Sequence, residues 1–245
     1  MRSAGGQRES FPGPEGEVTI VFDPARVPQA DPALFDPAHY GAAAAPVGEG
    51  GRGAAWFVDG PFGSAVLRHY RRGGWMARLS RDAFLWRGEA LGRSFREFDL
   101  LGRLRMLGLP VPAALAAAQR RTGWRYRAAI LVARIPGVRP FAALARAQGA
   151  TAPWEAVGTA IAACHRQGAH HADLNANNLL VDEAGAVHLI DWDKGRIEAA
   201  PGAWCTRVLA RLERSLRKEC PAQPEGVLAE GMARLRRAHD AAVRA

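Results

Sequence analysis

The chain has 245 residues, of which 48% are hydrophobic and 23% charged, an ordinary composition for a soluble protein with one large domain or two lobes. This balance excludes a collagen-like rod, a coiled-coil rod and a fully disordered chain. The net charge of +9 favours anionic partners, such as nucleic acid, acidic lipid headgroups or polyphosphates. Arginine carries nearly all of this charge, because Lys194 and Lys218 are the only lysines. A purely solubilising role for the charge is the alternative.

The first part of the chain is predicted to contain a flexible tail followed by three strands. Residues 1–16 are rich in Gly, Pro, Glu and Arg, a composition that predicts a flexible tail. Residues 18–22 form a β-branched and aromatic run, which predicts a first strand. A glycine-rich turn then leads into a strand within residues 48–59, and residues 64–70 form its hairpin partner.

The next segment combines one helix with two further strands. Residues 94–107 carry apolar side chains at helical spacing, and Gly108 follows where the pattern stops. Residues 111–118 and 126–133 predict strands, joined by the short polar connection 119–125. We therefore expect an N-terminal β-rich lobe over residues 17–134.

The second half of the chain reads as helices around a short hairpin. Residues 135–137, Ile-Pro-Gly, predict a hinge, after which Thr151 and Gly168 bracket an amphipathic helix. Residues 203–219 and 225–243 predict two basic amphipathic helices. We therefore expect a helical lobe over residues 135–245.

The chemistry is concentrated between His171 and Asp191. Asp173 and Asn178 lie in a polar loop, and Asp191 ends a short apolar strand that follows a hairpin turn at residues 182–186. Carboxylate and amide oxygens are hard ligands that suit Mg²⁺, which takes few protein ligands together with phosphate oxygens. Phosphoryl transfer needs little more than these ligands, a base for the acceptor hydroxyl and a loop over the phosphates.

The spacing matches eukaryotic-like kinases: His-x-Asp, then Asn five residues after the Asp, then a strand that ends in Asp. This pattern predicts Asp173 as the catalytic base, Asn178 and Asp191 as Mg²⁺ ligands, and His171 as a brace beneath Asp191. The predicted fold is α+β, a two-lobed protein-kinase-like fold with an N-terminal antiparallel sheet lobe that binds the nucleotide and a helical C-terminal lobe that is catalytic. An ordinary helix–loop–hairpin with polar loop residues is the alternative.

Further nucleotide-binding residues are predicted upstream of this loop. Gly51, Arg52 and Gly53 precede a strand, as a phosphate-covering glycine loop does. The lysine that kinases carry on the next strand is missing, and Arg68 stands in its place, with Glu97 as its expected ion-pair partner. Because Arg is not a neutral replacement for Lys, a pseudokinase without turnover remains an alternative.

Several of these segments resemble the bacterial 3-deoxy-D-manno-octulosonic acid (Kdo) kinases of lipopolysaccharide core assembly. The resemblance spans roughly residues 48–220. Its most specific runs are Val-Leu-Arg-His-Tyr-Arg-Arg-Gly-Gly at residues 66–74 and His-His-Ala-Asp-Leu-Asn at residues 170–175. It extends to Glu-Phe-Asp-Leu-Leu at 97–101, Gly-Leu-Pro-Val-Pro at 108–112 and Ile-Asp-Trp-Asp-Lys-Gly at 190–195. Arg stands in the 66–74 run in this family too, which accounts for the missing lysine.

The resemblance implies transfer of the ATP γ-phosphate to the 4-hydroxyl of a Kdo sugar on a Kdo–lipid A precursor, with Mg²⁺ as cofactor. Asn175, where many protein kinases carry Lys, is consistent with a sugar acceptor. The resemblance also implies a peripheral location on the cytoplasmic face of the inner membrane. Arginines expected to face that anionic surface are Arg71, Arg72, Arg196, Arg207, Arg211, Arg214 and Arg217.

The alternatives are another kinase of the same fold, such as a heptose kinase or an aminoglycoside-type phosphotransferase, and the pseudokinase. A nucleic-acid-binding protein would rest on charge alone, because no recognition-helix, zinc-finger or RNA-binding signature accompanies it. We therefore expect neither nucleic acid nor an obligate protein partner. The odd number of cysteines and the lack of CxxC pairs favour a reducing, cytosolic setting.

Overall fold

The structure is a computed structural model that describes residues 6–48, 55–71, 83–86, 88–89 and 92–244. The chain divides into two compact units, one formed by residues 1–103 and 113–134 and the other by residues 104–112 and 135–245. Strands dominate the described part of the first unit and helices that of the second. The predicted α+β class, with an N-terminal antiparallel sheet and a helical C-terminal part, is confirmed.

The first unit is built on one antiparallel sheet. Among the described residues, its strands run in the order β1-β2-β7-β8-β5-β4-β3, and β6 pairs with β8. Most of helix α1 (Arg93–Met106) also belongs to this unit, as do two 3₁₀ helices at Pro32–Phe35 and Pro37–Ala43. The strands are β1 (Gln7–Phe11), β2 (Glu17–Phe22), β3 (Ala45–Pro46), β4 (Ala55–Gly60), β5 (Gly63–His69), β6 (Phe84–Leu85), β7 (Ala114–Thr122) and β8 (Arg125–Ala133).

One face of this sheet supplies a hydrophobic core. Alternate residues of a strand point to the same face, and here Ile20 and Phe22 of β2 pack with Leu115 of β7 and Leu131 of β8. All four side chains are buried. The alternation of side chains along these strands therefore decides which of them enter the core.

The prediction of a flexible tail over residues 1–16 is wrong for residues 7–11, which form β1. Composition argues for disorder here, because four of these five residues are polar. The same four side chains are exposed in the structure. The backbone nevertheless pairs along its whole length with β2, from Gln7 opposite Phe22 to Phe11 opposite Val18. A polar sequence is compatible with an edge strand that contributes hydrogen bonds and little buried surface.

The prediction of a polar connection over residues 119–125 is also wrong. Strand β7 continues to Thr122, and Arg120 lies opposite Val18 of β2 on one side and Arg127 of β8 on the other. Ladder hydrogen bonds on both sides outweigh the polar side chains. The turn is confined to residues 123–124, where Gly123 has a φ of +59°.

The second unit is mainly helical. Its helices are α2 (Phe141–Gln148), α3 (Trp154–Arg166), α4 (Ala203–Glu219) and α5 (Glu225–Arg244), with a 3₁₀ turn at Gly149–Thr151. Short strands frame the polar loop: β9 (Arg139–Pro140), β10 (Ala169–His170), β11 (Leu179–Val181), β12 (Val187–Leu189) and β13 (Arg196–Ile197). The predicted helices at 203–219 and 225–243 are confirmed. In the described part of the chain, no helix combines the length and apolarity needed to cross a membrane.

Helices α3 and α5 approach each other at two glycines. A Cβ added to Gly158 would lie 2.3 Å from the backbone oxygen of Leu235, and one added to Gly231 would lie 2.2 Å from the Trp154 ring. The Trp154 indole is fully buried and donates from Nε1 to the Gly149 oxygen over 3.0 Å. Glycine is required at both positions by close packing, since no side chain fits there.

Gly158→Ala is expected to lower the free energy of unfolding by about 1–3 kcal/mol, because a backbone oxygen cannot move aside as a flexible side chain does. Gly226→Ala is the matched control, since a Cβ at Gly226, in the first turn of α5, meets nothing within 4 Å. It is expected to be neutral or to stabilise by up to about 1 kcal/mol through helix propensity. Urea titration measures both, and equal effects would contradict the close approach of α3 and α5.

Candidate active site

The polar loop between β10 and β11 is shaped by Asn175. The Asn175 Oδ1 atom accepts the backbone N–H of Asn177 at 3.0 Å and that of Asn178 at 3.2 Å, which is an Asx turn. Its Nδ2 atom donates to the backbone oxygen of Asp173 over 3.2 Å. Asn175, which stands where many protein kinases carry a lysine, therefore organises the loop that carries Asp173.

The β11–β12 hairpin brings Asn178 next to Asp191. Leu179 pairs with Leu189, and the N–H of Ile190 donates to the backbone oxygen of Asn178 over 3.0 Å. Asn178 also donates from Nδ2 to the backbone oxygen of Asp173 over 3.3 Å. The hairpin predicted from the sequence thus collects the backbones of all three predicted residues in one place.

Asp191 has an unusual backbone conformation. Its φ is +64°, and no other non-glycine residue in the described ranges has a positive φ. Such a conformation costs of order 1 kcal/mol and is common at functional sites. The turn it makes at the end of β12 is held by Trp192, whose buried indole donates to the Leu189 oxygen over 3.0 Å.

His171 connects the loop to this turn. Its ring is buried, and Nε2–H donates to the backbone oxygen of Ile190 over 2.9 Å. Burial lowers the pKa of His171, so the ring is neutral at pH 7 and its proton resides on Nε2. The imidazole also contacts the Trp192 ring, with centroids 4.7 Å apart. The bond to the residue before Asp191 is the bracing contact that the sequence predicted.

Helix α4 contacts the same loop at two points. Arg211 forms an ion pair with the Asp173 carboxylate, whose side chain is 40% exposed. Ser215, one turn further along the helix, accepts the backbone N–H of Ala176 at 3.1 Å. Sequence reasoning placed Arg211 on a membrane-facing surface and missed this pairing, for which the sequence carries no local signal.

The predicted ion pair between Arg68 and Glu97 is present within the first unit. The Arg68 Nη2 atom lies 2.6 Å from Oε1 and 2.5 Å from Oε2 of Glu97, a carboxylate that is only 2% exposed. The Tyr70 hydroxyl donates to the same carboxylate. Tyr70 was missed, although strand alternation places it on the same face as Arg68. Gly51, Arg52 and Gly53 lie outside the described residues.

The donor set around Asp191 fits a magnesium ion that also binds phosphate. Asn178 supplies an amide oxygen and Asp191 a carboxylate, and the bond from Asn178 Nδ2 to Asp173 fixes the plane of that amide. Mg²⁺ is usually held by one or two such ligands together with phosphate oxygens and water. The Asp173 backbone lies close to Asn178. A carboxylate, which Asp173 carries, is the type of group that takes a proton from an acceptor hydroxyl.

Comparison with known proteins agrees with this geometry. The sequence model of the lipopolysaccharide kinase (Kdo/WaaP) family matches residues 39–231. A 3-deoxy-D-manno-octulosonic acid kinase of Stenotrophomonas maltophilia is 52% identical over 223 residues, which are 91% of this chain and 90% of that protein. Proteins of the same name from Xanthomonas campestris pv. campestris and Xanthomonas axonopodis pv. citri are 52% and 48% identical, covering 83% and 93% of this chain and 82% and 91% of their own lengths. The chain therefore belongs to the lipopolysaccharide kinase (Kdo/WaaP) family.

Proposed function

We propose that this protein is an ATP-dependent kinase that phosphorylates the 4-hydroxyl of a Kdo sugar on a Kdo–lipid A precursor. The observation that carries the phosphotransferase activity is the joining of Asp173, Asn178 and the residue before Asp191 by hydrogen bonds. The names of relatives that are about half identical over most of the chain support the Kdo acceptor.

In this proposal Asp173 is the base. Its carboxylate accepts the proton of the sugar hydroxyl while the hydroxyl oxygen bonds to the γ-phosphorus of ATP. The bond between that phosphorus and the bridging oxygen breaks, and ADP leaves with the bond's electron pair. Arg211 orients the Asp173 carboxylate through its ion pair.

The nucleotide is assigned to the residues predicted for it. Arg68 is proposed to contact the ATP phosphates, oriented by Glu97, and Gly51, Arg52 and Gly53 are proposed to cover them with backbone N–H groups. When bound, Mg²⁺ neutralises charge on the transferred phosphate. Asn178 and Asp191 are the residues that would hold it.

The experiment offers γ-labelled ATP and Mg²⁺ with Kdo₂-lipid IVA to the purified protein. Label on the lipid, located by mass spectrometry on the 4-oxygen of a Kdo residue, is the expected result. Label on a heptose or an aminoglycoside alone would overturn the Kdo assignment and retain a kinase. Bound ATP without transfer to any acceptor would indicate a pseudokinase.

We further propose peripheral association with the cytoplasmic face of the inner membrane. Of the arginines predicted to face it, Arg196 pairs with Glu198, and Arg217 pairs with Glu213 and Glu225. Arg207 of α4 is exposed and pairs with no carboxylate in the described ranges. Co-sedimentation with anionic vesicles is expected at low salt and is expected to weaken as salt screens the charges. Equal binding to neutral vesicles would contradict an electrostatic attachment.

A further inference from the structure

A polar cavity of about 410 Å³ lies between the polar loop and helix α4, and Arg211, the ion-pair partner of Asp173, lies in its wall. Asn175 and Asn177 line it from the loop, and Arg211, Arg214 and Lys218 line it from the helix. We propose that this cavity binds the carboxylate of the acceptor sugar and thereby presents the reacting hydroxyl to Asp173. This inference rests on the proposed function and names the acceptor-binding residues for it.

The helix presents its basic residues to the cavity as one face. Positions 211, 214, 215 and 218 recur at three- and four-residue spacing, which places them in a row along an α-helix. A different face of α4 is anchored by buried Leu209, Leu212 and Leu216. Ser215 accepts the N–H of Ala176 and so fixes the distance between the helix and the loop. The cavity walls are therefore set by packing before any ligand arrives.

Part of the positive charge in the cavity is not neutralised within the described part of the chain. Arg214 and Lys218 form no ion pair with any carboxylate in the part of the chain that the structure describes. Arg211 is shared with Asp173. The carboxylate that also lines the cavity, Glu219, lies 3.7 Å from the guanidinium of Arg146, which offsets its charge. An anion entering here gains charge-assisted hydrogen bonds from two cations with no acidic partner.

Arg217, on the same helix, provides a comparison. Its guanidinium donates to Glu213 over 2.7 Å and to Glu225 over 3.0 Å. Arg217 therefore contributes to helix and interhelix ion pairs, whereas Arg214 and Lys218 of the cavity form none with the described carboxylates. This contrast within a single helix argues that the charge of the cavity serves a ligand.

Proximity to Asp173 favours the sugar carboxylate over a more distant phosphate of the lipid. A base acts only when it is within hydrogen-bond reach of the hydroxyl it deprotonates. Arg211 touches both Asp173 and the cavity, so a carboxylate bound there lies close to the base. A Kdo residue carries its carboxylate and its hydroxyls on one compact ring, which allows both groups to be engaged at once.

The test is a cycle that combines a variant with a modified acceptor. Arg214→Gln/Lys218→Gln and the wild type are assayed with Kdo₂-lipid IVA and with the same lipid carrying methyl-esterified Kdo carboxylates. The variant is expected to raise KM for the acid about 10- to 100-fold, the usual loss for a charge-assisted contact. KM for ATP is expected to change less than about twofold, since the carboxylate contact does not involve ATP. Esterification is expected to raise the acceptor KM of the wild type by a similar factor and to raise that of the double variant hardly further.

The matched control is Arg237→Gln, an exposed arginine of α5 without an ion pair among the described residues. It is expected to behave as the wild type with both acceptors. If the double variant and the ester each raised KM by their full factor when combined, the carboxylate assignment would be overturned. So would a variant whose defect disappears when the lipid A phosphates, rather than the Kdo carboxylates, are removed. Wild-type protein that transfers no phosphate to the Kdo lipid would overturn the proposed function itself, a result distinct from either of these.

Discussion

Replacing Asp173 by Asn is expected to lower kcat for transfer to the Kdo lipid about 10²- to 10⁴-fold, the usual contribution of a positioned general base. An amide cannot take the hydroxyl proton, so the loss falls on the chemical step. Affinity for ATP and Mg²⁺ is expected to change little. The fold is expected to survive, because the lost ion pair with Arg211 joins side chains that are 40% and 46% exposed. Exposed pairs contribute only about 0–1 kcal/mol.

The control for Asp173→Asn is Glu183→Gln, which removes one negative charge from the exposed turn of the nearby hairpin. It is expected to retain wild-type kcat, which would rule out a general effect of charge. Single-turnover rates, combined with titration of bound nucleotide, separate chemistry from binding. An Asp173→Asn enzyme with more than about a tenth of the wild-type rate would show that Asp173 is not the base.

Replacing Arg68 by Met is expected to lower the free energy of unfolding by about 3–5 kcal/mol, because it removes the positive charge that Arg68 places against a buried carboxylate. That carboxylate, Glu97, is 2% exposed and also accepts a hydrogen bond from the Tyr70 hydroxyl. Arg68→Met is also expected to weaken ATP binding if Arg68 contacts the phosphates. Chemical unfolding and nucleotide titration measure these two effects.

The double variant Arg68→Met/Glu97→Met separates folding from nucleotide binding. Removing both charges is expected to restore much of the stability lost in Arg68→Met, since no uncompensated charge stays buried. ATP affinity is expected to remain low in this double variant. A stable double variant with wild-type ATP affinity would show that the ion pair serves only the fold of the first unit.

Much of the fold was predictable because its signals are local. Helix α4 has the predicted bounds, and the β11–β12 hairpin has the predicted turn. Helical periodicity and turn residues act over a few residues, so they can be read along the chain. The strand at Gln7–Phe11 and the extension of β7 to Thr122 were not predictable in this way. Both depend on hydrogen bonds to neighbouring strands, which outweigh a polar composition.

The sequence by itself determined the kinase-like spacing of Asp173, Asn178 and Asp191. Because only a short loop and a short hairpin separate these residues, they must lie close together in the fold. It also indicated Glu97 as the partner of Arg68. Only the tertiary structure decided that Arg211, 38 residues away along the chain, pairs with Asp173. The packing of α4 against the loop sets that contact, and the same packing produces the basic cavity next to the loop that carries Asp173. Contacts of this kind follow from how whole elements pack, and no local pattern of residues encodes them.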